Sequence, residues 1–100
     1  MLRSRAPSPA TRAVLTALID AAPAWSHGYE LCRLTGLKSG TLYPLLIRLE
    51  RQGYLQAEWQ APEPGRPPRH AYRLTAEGHG YTTQIQAAAQ GADHRLTRPA

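Results

Sequence analysis

The sequence predicts a mainly α domain with a two-stranded β-hairpin, a winged helix-turn-helix. Three observations carry this. Two runs of helical spacing, 27–35 and 39–53, are joined by a short link that contains Gly36. After Gly53 the apolar period falls from 3.6 to 2, with Leu55, Ala57, Trp59 and Ala61 alternating with Gln56, Glu58 and Gln60. A proline-rich basic loop, 62–68, then leads to a second short run, 70–74, with Tyr72 and Leu74 on one face.

The elements follow in order. Residues 1–8 carry Arg3, Arg5 and Pro7 and read as a flexible basic arm. With Arg12 and the apolar run 13–22 they loosely mimic a secretory signal. Asp20 interrupts that run and its apolar residues have helical spacing, so a cytoplasmic protein is expected. Ser8 caps a first helix over 9–22, with Pro9 at its first position. Val14, Leu15, Leu18, Ile19 and Ala22 line one face, and Pro23 stops it.

Ser26 is the expected cap of the second helix, which should bury Tyr29, Leu31 or Cys32, and Leu34 before the left-handed Gly36. Ser39 is the expected cap of the third, where Leu42, Leu45, Leu46 and Leu49 form the buried stripe. Two strands alone are marginal, so the hairpin should pack on the helices through Leu55, Trp59, Tyr72 and Leu74. Thr75 caps a last helix that has Glu77 in its first turn and ends at Gly91. The expected organisation is a DNA-binding domain over 9–74, a dimerisation helix over 75–91 and a flexible tail over 92–100.

A hundred residues suit one small domain. The single cysteine, Cys32, excludes a disulfide-stapled scaffold. No run approaches the roughly 18 apolar residues of a membrane span. The net charge is +5 and, apart from Lys38, every basic side chain is arginine. Arginine forks well onto phosphates and base edges. Residues 33–73 hold Arg33, Lys38, Arg48, Arg51, Arg66, Arg69 and Arg73 against Glu50, Glu58 and Glu63, so most of the surplus is gathered there.

The third helix supplies the candidate reading face. Away from its leucines it carries Ser39, Gly40, Thr41, Tyr43, Pro44, Ile47, Arg48 and Arg51, just after Lys38. Hydroxyl, phenol and free amide donors at a helix start suit phosphate oxygens. An Ile suits a thymine methyl and an Arg suits guanine. The alternative is that Tyr43 and Ile47 are peripheral packing contacts. In the hairpin loop, Arg66 and Arg69 flank Pro67 and Pro68, which stiffen it, and such a tip can lie on the backbone or enter the minor groove. The alternative there is a solvated turn.

Catalysis has no support. His27, His70, His79, His94 and Cys32 lack ligand spacing, and no metal, cofactor or nucleophile motif occurs. No enzyme, metal site or cofactor is expected.

These residues resemble a known family. The runs Ser26-His27-Gly28-Tyr29-Glu30-Leu31, Ser39-Gly40-Thr41-Leu42-Tyr43-Pro44, Arg48-Leu49-Glu50 and Gly53-Tyr54-Leu55 are similar to PadR transcriptional regulators. So are Gly65-Arg66-Pro67-Pro68-Arg69 and Tyr72-Arg73-Leu74-Thr75 in the wing, over about residues 10–90 in all. The resemblance implies a dimeric winged-helix repressor on double-stranded DNA. Its third helix enters the major groove, its wing meets the backbone or minor groove, and its last helix joins the first in the dimer interface. Two features depart from many members: a stub-like second helix, and a single short C-terminal helix without the Trp that some members stack on a drug-like effector. An unknown small-molecule or protein effector stays open beside a constitutive form.

A dimer also follows from the residues. The last helix presents Tyr81, Ile85, Ala88 and Ala89 with no later element to cover them, and Val14 and Leu18 of the first helix complete the expected interface. Two third helices would then lie roughly 34 Å apart on a near-palindromic operator. The alternative is that the last helix folds back on the first. For the whole chain, the competing function is a winged-helix protein–protein module without DNA binding.

Overall fold

Ser8 caps α1 (Pro9–Ala21) as the sequence predicts: its Oγ accepts from the Thr11 amide at 3.1 Å. The computed structural model describes residues 6–61 and 63–97, with side chains to residue 90. Residues 1–5 of the basic arm and 98–100 of the tail lie outside the described residues. Val14, Leu15 and Leu18 of α1 are fully buried in the core.

The chain then departs from the two-strand expectation. Ser26 does not cap a helix. It begins β1 (Ser26–His27), which pairs antiparallel with β3 (Arg69–Leu74) through Ser26 opposite Tyr72 and His27 opposite Ala71. β2 (Leu55–Gln60) pairs on the other side of β3, from Leu55 opposite Leu74 to Gln60 opposite Arg69. The sheet therefore has three strands in the order β1-β3-β2. The extra strand shields the second edge of β3, so Ala71 as well as Tyr72 is buried. Ser26 Oγ is buried with it and has no hydrogen-bond partner among the described residues.

α2 (Gly28–Thr35) is a short helix whose cap position is taken by His27, without a side-chain bond. Only eight residues long, it turns Gly28, Leu31 and Thr35 inward. Tyr29 and Leu34, expected in the core, fall outside that stripe and are exposed. Gly36 follows in the left-handed conformation (φ 76°), and its amide closes the helix on the Cys32 carbonyl. α3 (Ser39–Arg51) buries Leu42, Leu45, Leu46 and Leu49 as predicted. Its cap position is Lys38, so Ser39 is the first helical residue rather than the cap.

Thr75 caps α4 (Ala76–Thr97), its Oγ1 accepting from the Gly78 amide at 3.0 Å. The helix runs through Gly91, which was expected to end it. A single glycine costs a helix only about 1 kcal/mol, and the strong helix formers Ala87 to Ala89 and Ala92 surround this one. The start of α4 is tied to the turn after α3. The Thr75 amide donates to the Tyr54 carbonyl at 3.0 Å and the Thr75 hydroxyl to the Gly53 carbonyl at 2.6 Å. Gly78 lies so close to the Tyr54 carbonyl that a Cβ would collide with it. One turn on, the Tyr81 ring stacks on Tyr54, centroids 4.2 Å apart.

Among the described residues no helix is long and apolar enough to cross a membrane.

Candidate nucleic-acid interface

α2 and α3 meet across a three-residue turn that Thr35 locks from both sides. Its hydroxyl donates to the Leu31 carbonyl at 2.6 Å and accepts from the Leu37 amide at 3.2 Å. This fixes the angle of α3 against the body, a role the sequence reading did not assign to Thr35. The amides of Thr41 and Leu42 both donate to the Lys38 carbonyl, and the earlier amides of Ser39 and Gly40 have no acceptor among the described residues.

With its leucines inward, α3 turns Gly40, Pro44, Ile47 and Arg51 to the middle of its outer face, at i, i+4, i+7 and i+11. Thr41 and Arg48 lie on one flank, Tyr43 and Glu50 on the other. Lys38, Ser39, Gly40, Thr41, Tyr43, Pro44, Ile47, Arg48 and Arg51 are all exposed. The flanks differ in their neighbours. Arg48 borders a hollow shared with Pro7, Ser8 and Thr11 at the start of α1. Tyr43 reaches across Gly28 at the start of α2, where its hydroxyl fills the space a Cβ would take. Tyr43 is thus both a packing contact within the helix-turn-helix and an exposed donor, 37 % accessible.

The wing places Arg66 and Arg69 in solvent. Arg66 is paired with Glu63 at 3.4 Å, and the Arg66 amide closes the turn on the Glu63 carbonyl. Both side chains are exposed, so the pair is weak and easily exchanged for a phosphate. Alternation along β3 sends Arg69 and Arg73 to the face opposite Tyr72. There Arg73 is already engaged: its Nε donates to Gln56 Oε1 at 3.0 Å, and its guanidinium lies 4.3 Å from the centroid of the Trp25 ring. Arg73 belongs to the basic cluster by sequence but not to the α3 side of the wing.

Two residues of that side were not anticipated. Trp59 does not pack on the helices as expected; it is 68 % exposed and stacks on His70, with centroids 4.3 Å apart and planes 8° from parallel. His70 leans on Tyr72, whose hydroxyl lies 3.1 Å from His70 Nδ1. Burial pushes the Tyr72 phenol above its ordinary pKa of 10.0, and the nearby Tyr43 and Glu50 of α3 push it the same way. Cross-strand register could have revealed the pair, since Trp59 stands opposite His70.

The expected dimer residues divide as well. Val14 and Leu18 are 0 % and 1 % exposed in the chain's own core, so neither has surface to offer a second copy. Tyr81 and Ile85 are half-buried against that core, while Ala88 and Ala89 are exposed. Beside them runs an open groove of about 610 Å³, walled by α1, the end of α2 and α4, with Ala13, Ala17, Leu34, Ile85 and Ala89 among its lining.

A helix-turn-helix with a rigid leucine-backed third helix and a basic β-wing beside it defines a winged-helix regulator. The profile of the transcriptional regulator PadR-like family matches residues 15–84, and the chain belongs to that family of DNA-binding transcription regulators. A PadR family regulator from Clostridium difficile R20291 superposes with a TM-score of 0.78 at 19 % identity, covering 91 % of this chain and 97 % of that one. A PadR-like transcription factor from Bacteroides fragilis gives 0.73 at 23 % identity, covering 90 % and 88 %. The PcaV transcriptional regulator from Streptomyces coelicolor, solved with its natural ligand, gives 0.77 at 27 % identity and covers 97 % of this chain and 65 % of that one. No curated protein sequence matches the chain.

Proposed function

We propose that this chain is a cytoplasmic repressor that binds a near-palindromic operator as a homodimer. The observation that carries the reading is the exposed outer face of α3, with the amides of Ser39 and Gly40 at its start and Ile47 and Arg51 along its middle, held beside the wing arginines. Lys38, Ser39 and Thr41 meet phosphates at the rim of the major groove. Gly40 and Pro44 let the helix approach closely, Ile47 and Arg51 face base edges, and Arg48 and Tyr43 grip the two flanks. Arg66 leaves Glu63 for a phosphate, and Arg69 joins it from the other side of the wing.

The homodimer rests on α4. The apolar groove beside Ala89 continues the exposed alanine face, and a second α4 is small enough at Ala88 and Ala89 to enter it. Two-fold symmetry then makes the operator near-palindromic.

The test is selection of a duplex from a randomised pool, followed by binding across a salt series. Arg66→Ala and Arg69→Ala should weaken all sequences alike and flatten the salt slope by about one unit per lost contact. Ile47→Ala and Arg51→Ala, which remove the groups facing base edges, should shift the selected sequence. Failure of the wild-type chain to retain any duplex at low salt overturns the reading.

A further inference from the structure

The wing carries an aromatic ladder with no structural duty at its outer end. Tyr72, 3 % exposed, belongs to the core; His70 is half-buried; Trp59 is 68 % exposed. All three share the sheet face of Leu55 and Ala57, the face turned to α3, but the core stops at Tyr72 and no helix covers Trp59. The flat Trp59–His70 stack and the Tyr72–His70 hydrogen bond hold the indole in place before any partner arrives. When the Tyr72 hydroxyl donates to Nδ1, the neutral imidazole carries its proton on Nε2, which has no partner among the described residues.

The surroundings select the partner. The ladder starts beside Tyr43 on the reading helix and ends at the basic wing tip, so it bridges the two elements assigned to DNA. The wing's carboxylates are turned elsewhere: Glu58 alternates to the opposite face and accepts from Gln60 at 3.1 Å, and Glu63 is paired with Arg66. A polyanionic strand there meets no like charge from Glu58, and the carboxylate it passes is Glu50 on the flank of α3.

We propose that Trp59 and His70 form a third contact to the duplex, on the strand that passes between α3 and the wing. Trp59 lies against a deoxyribose edge, and His70 Nε2–H donates to a phosphate oxygen. With Arg69 on the opposite face, the wing is then gripped from both sides as it enters the minor groove. This inference rests on the DNA-binding reading above.

The experiment uses the full chain and the duplex that the wild type selects. Trp59→Ala should weaken binding about 3- to 10-fold, the range of a well-made aromatic contact. It should leave the salt slope unchanged, because an uncharged contact releases no counterion, whereas Arg66→Ala flattens the slope. Trp59→Phe should recover most of the loss. Adding His70→Ala to Trp59→Ala should cost less than His70→Ala alone, because the stack is already gone. A second readout does not depend on removing the ring. In a Trp25→Phe chain, where Trp59 is the remaining tryptophan, the duplex should shift its emission and shield it from acrylamide. Wild-type affinity in Trp59→Ala, or Trp59 emission unmoved by a duplex that the chain binds, overturns the inference while leaving DNA binding intact. If the wild type selects no duplex, the DNA-binding reading itself fails.

Discussion

α3 and α4 are both amphipathic helices on one small core, and they differ in how much of their apolar surface the chain itself covers. α3 buries all four of its leucines, each 6 % exposed or less, and turns a polar and basic face outward. α4 is covered only near its start, where Thr82 is buried and Tyr81 and Ile85 are half-buried; by Ala87 to Ala89 it stands in solvent. α3 is thus a finished element whose free face can be given wholly to recognition. α4 is covered less far along its length, and in the proposed homodimer a second copy supplies the packing that the chain does not give Ala87 to Ala89. The same division separates the two helices along their length: α3 is backed by the core from Leu42 to Leu49, and α4 is anchored to it near its start.

Three substitutions sharpen or break that contrast. The largest effect is expected at Leu46, which is fully buried on α3. Leu46→Ala should cost about 2–5 kcal/mol in chemical denaturation, because a transfer loss and a cavity add. A cost below about 1 kcal/mol would mean that α3 is not packed as described. Next is Gly78, the anchor of α4. Helix propensity alone favours Gly78→Ala by about 1 kcal/mol. The new Cβ, however, meets the Tyr54 carbonyl, a backbone atom that cannot swing aside. A net loss of about 1–3 kcal/mol is expected, and a stabilised variant would show that α4 is not held tightly to that turn. The smallest effect on folding is expected at Ala88. Ala88→Glu should change the stability of the monomer by no more than about 0.5 kcal/mol, since the side chain is solvated. It should nonetheless dissociate the proposed dimer in sedimentation, and a dimer that survives it places the interface elsewhere.

Much of the reading face was legible because it depends on local spacing. The leucines of α3 recur at i, i+3, i+4 and i+7, so their burial and the exposure of Gly40, Ile47 and Arg51 follow from one period. The cap at Ser8 and the left-handed Gly36 were legible for the same reason. β1 was not: two residues have no period, and Ser26 looks like a cap until β3 is there to pair with it. Trp59 shows the limit of alternation. Its place on the face of Leu55 and Ala57 is readable, but where the core ends along that face is set by the helices beneath. Arg73 shows the limit of charge counting, since alternation along β3 places it on the far side of the sheet, where Gln56 and Trp25 engage it.

The sequence by itself determined the order of the four helices and the two hairpin strands, the buried stripe of α3 and the gathering of arginine around the helix-turn-helix and wing. These are consequences of backbone period, turn chemistry and composition, all of them local or additive along the chain. Only the tertiary structure decided that Val14 and Leu18 belong to the monomer core, that Tyr29 and Leu34 stay in solvent, and that Trp59 stands free on the wing. Whether an apolar side chain is covered depends on the reach of elements distant in sequence, and no local pattern contains that distance.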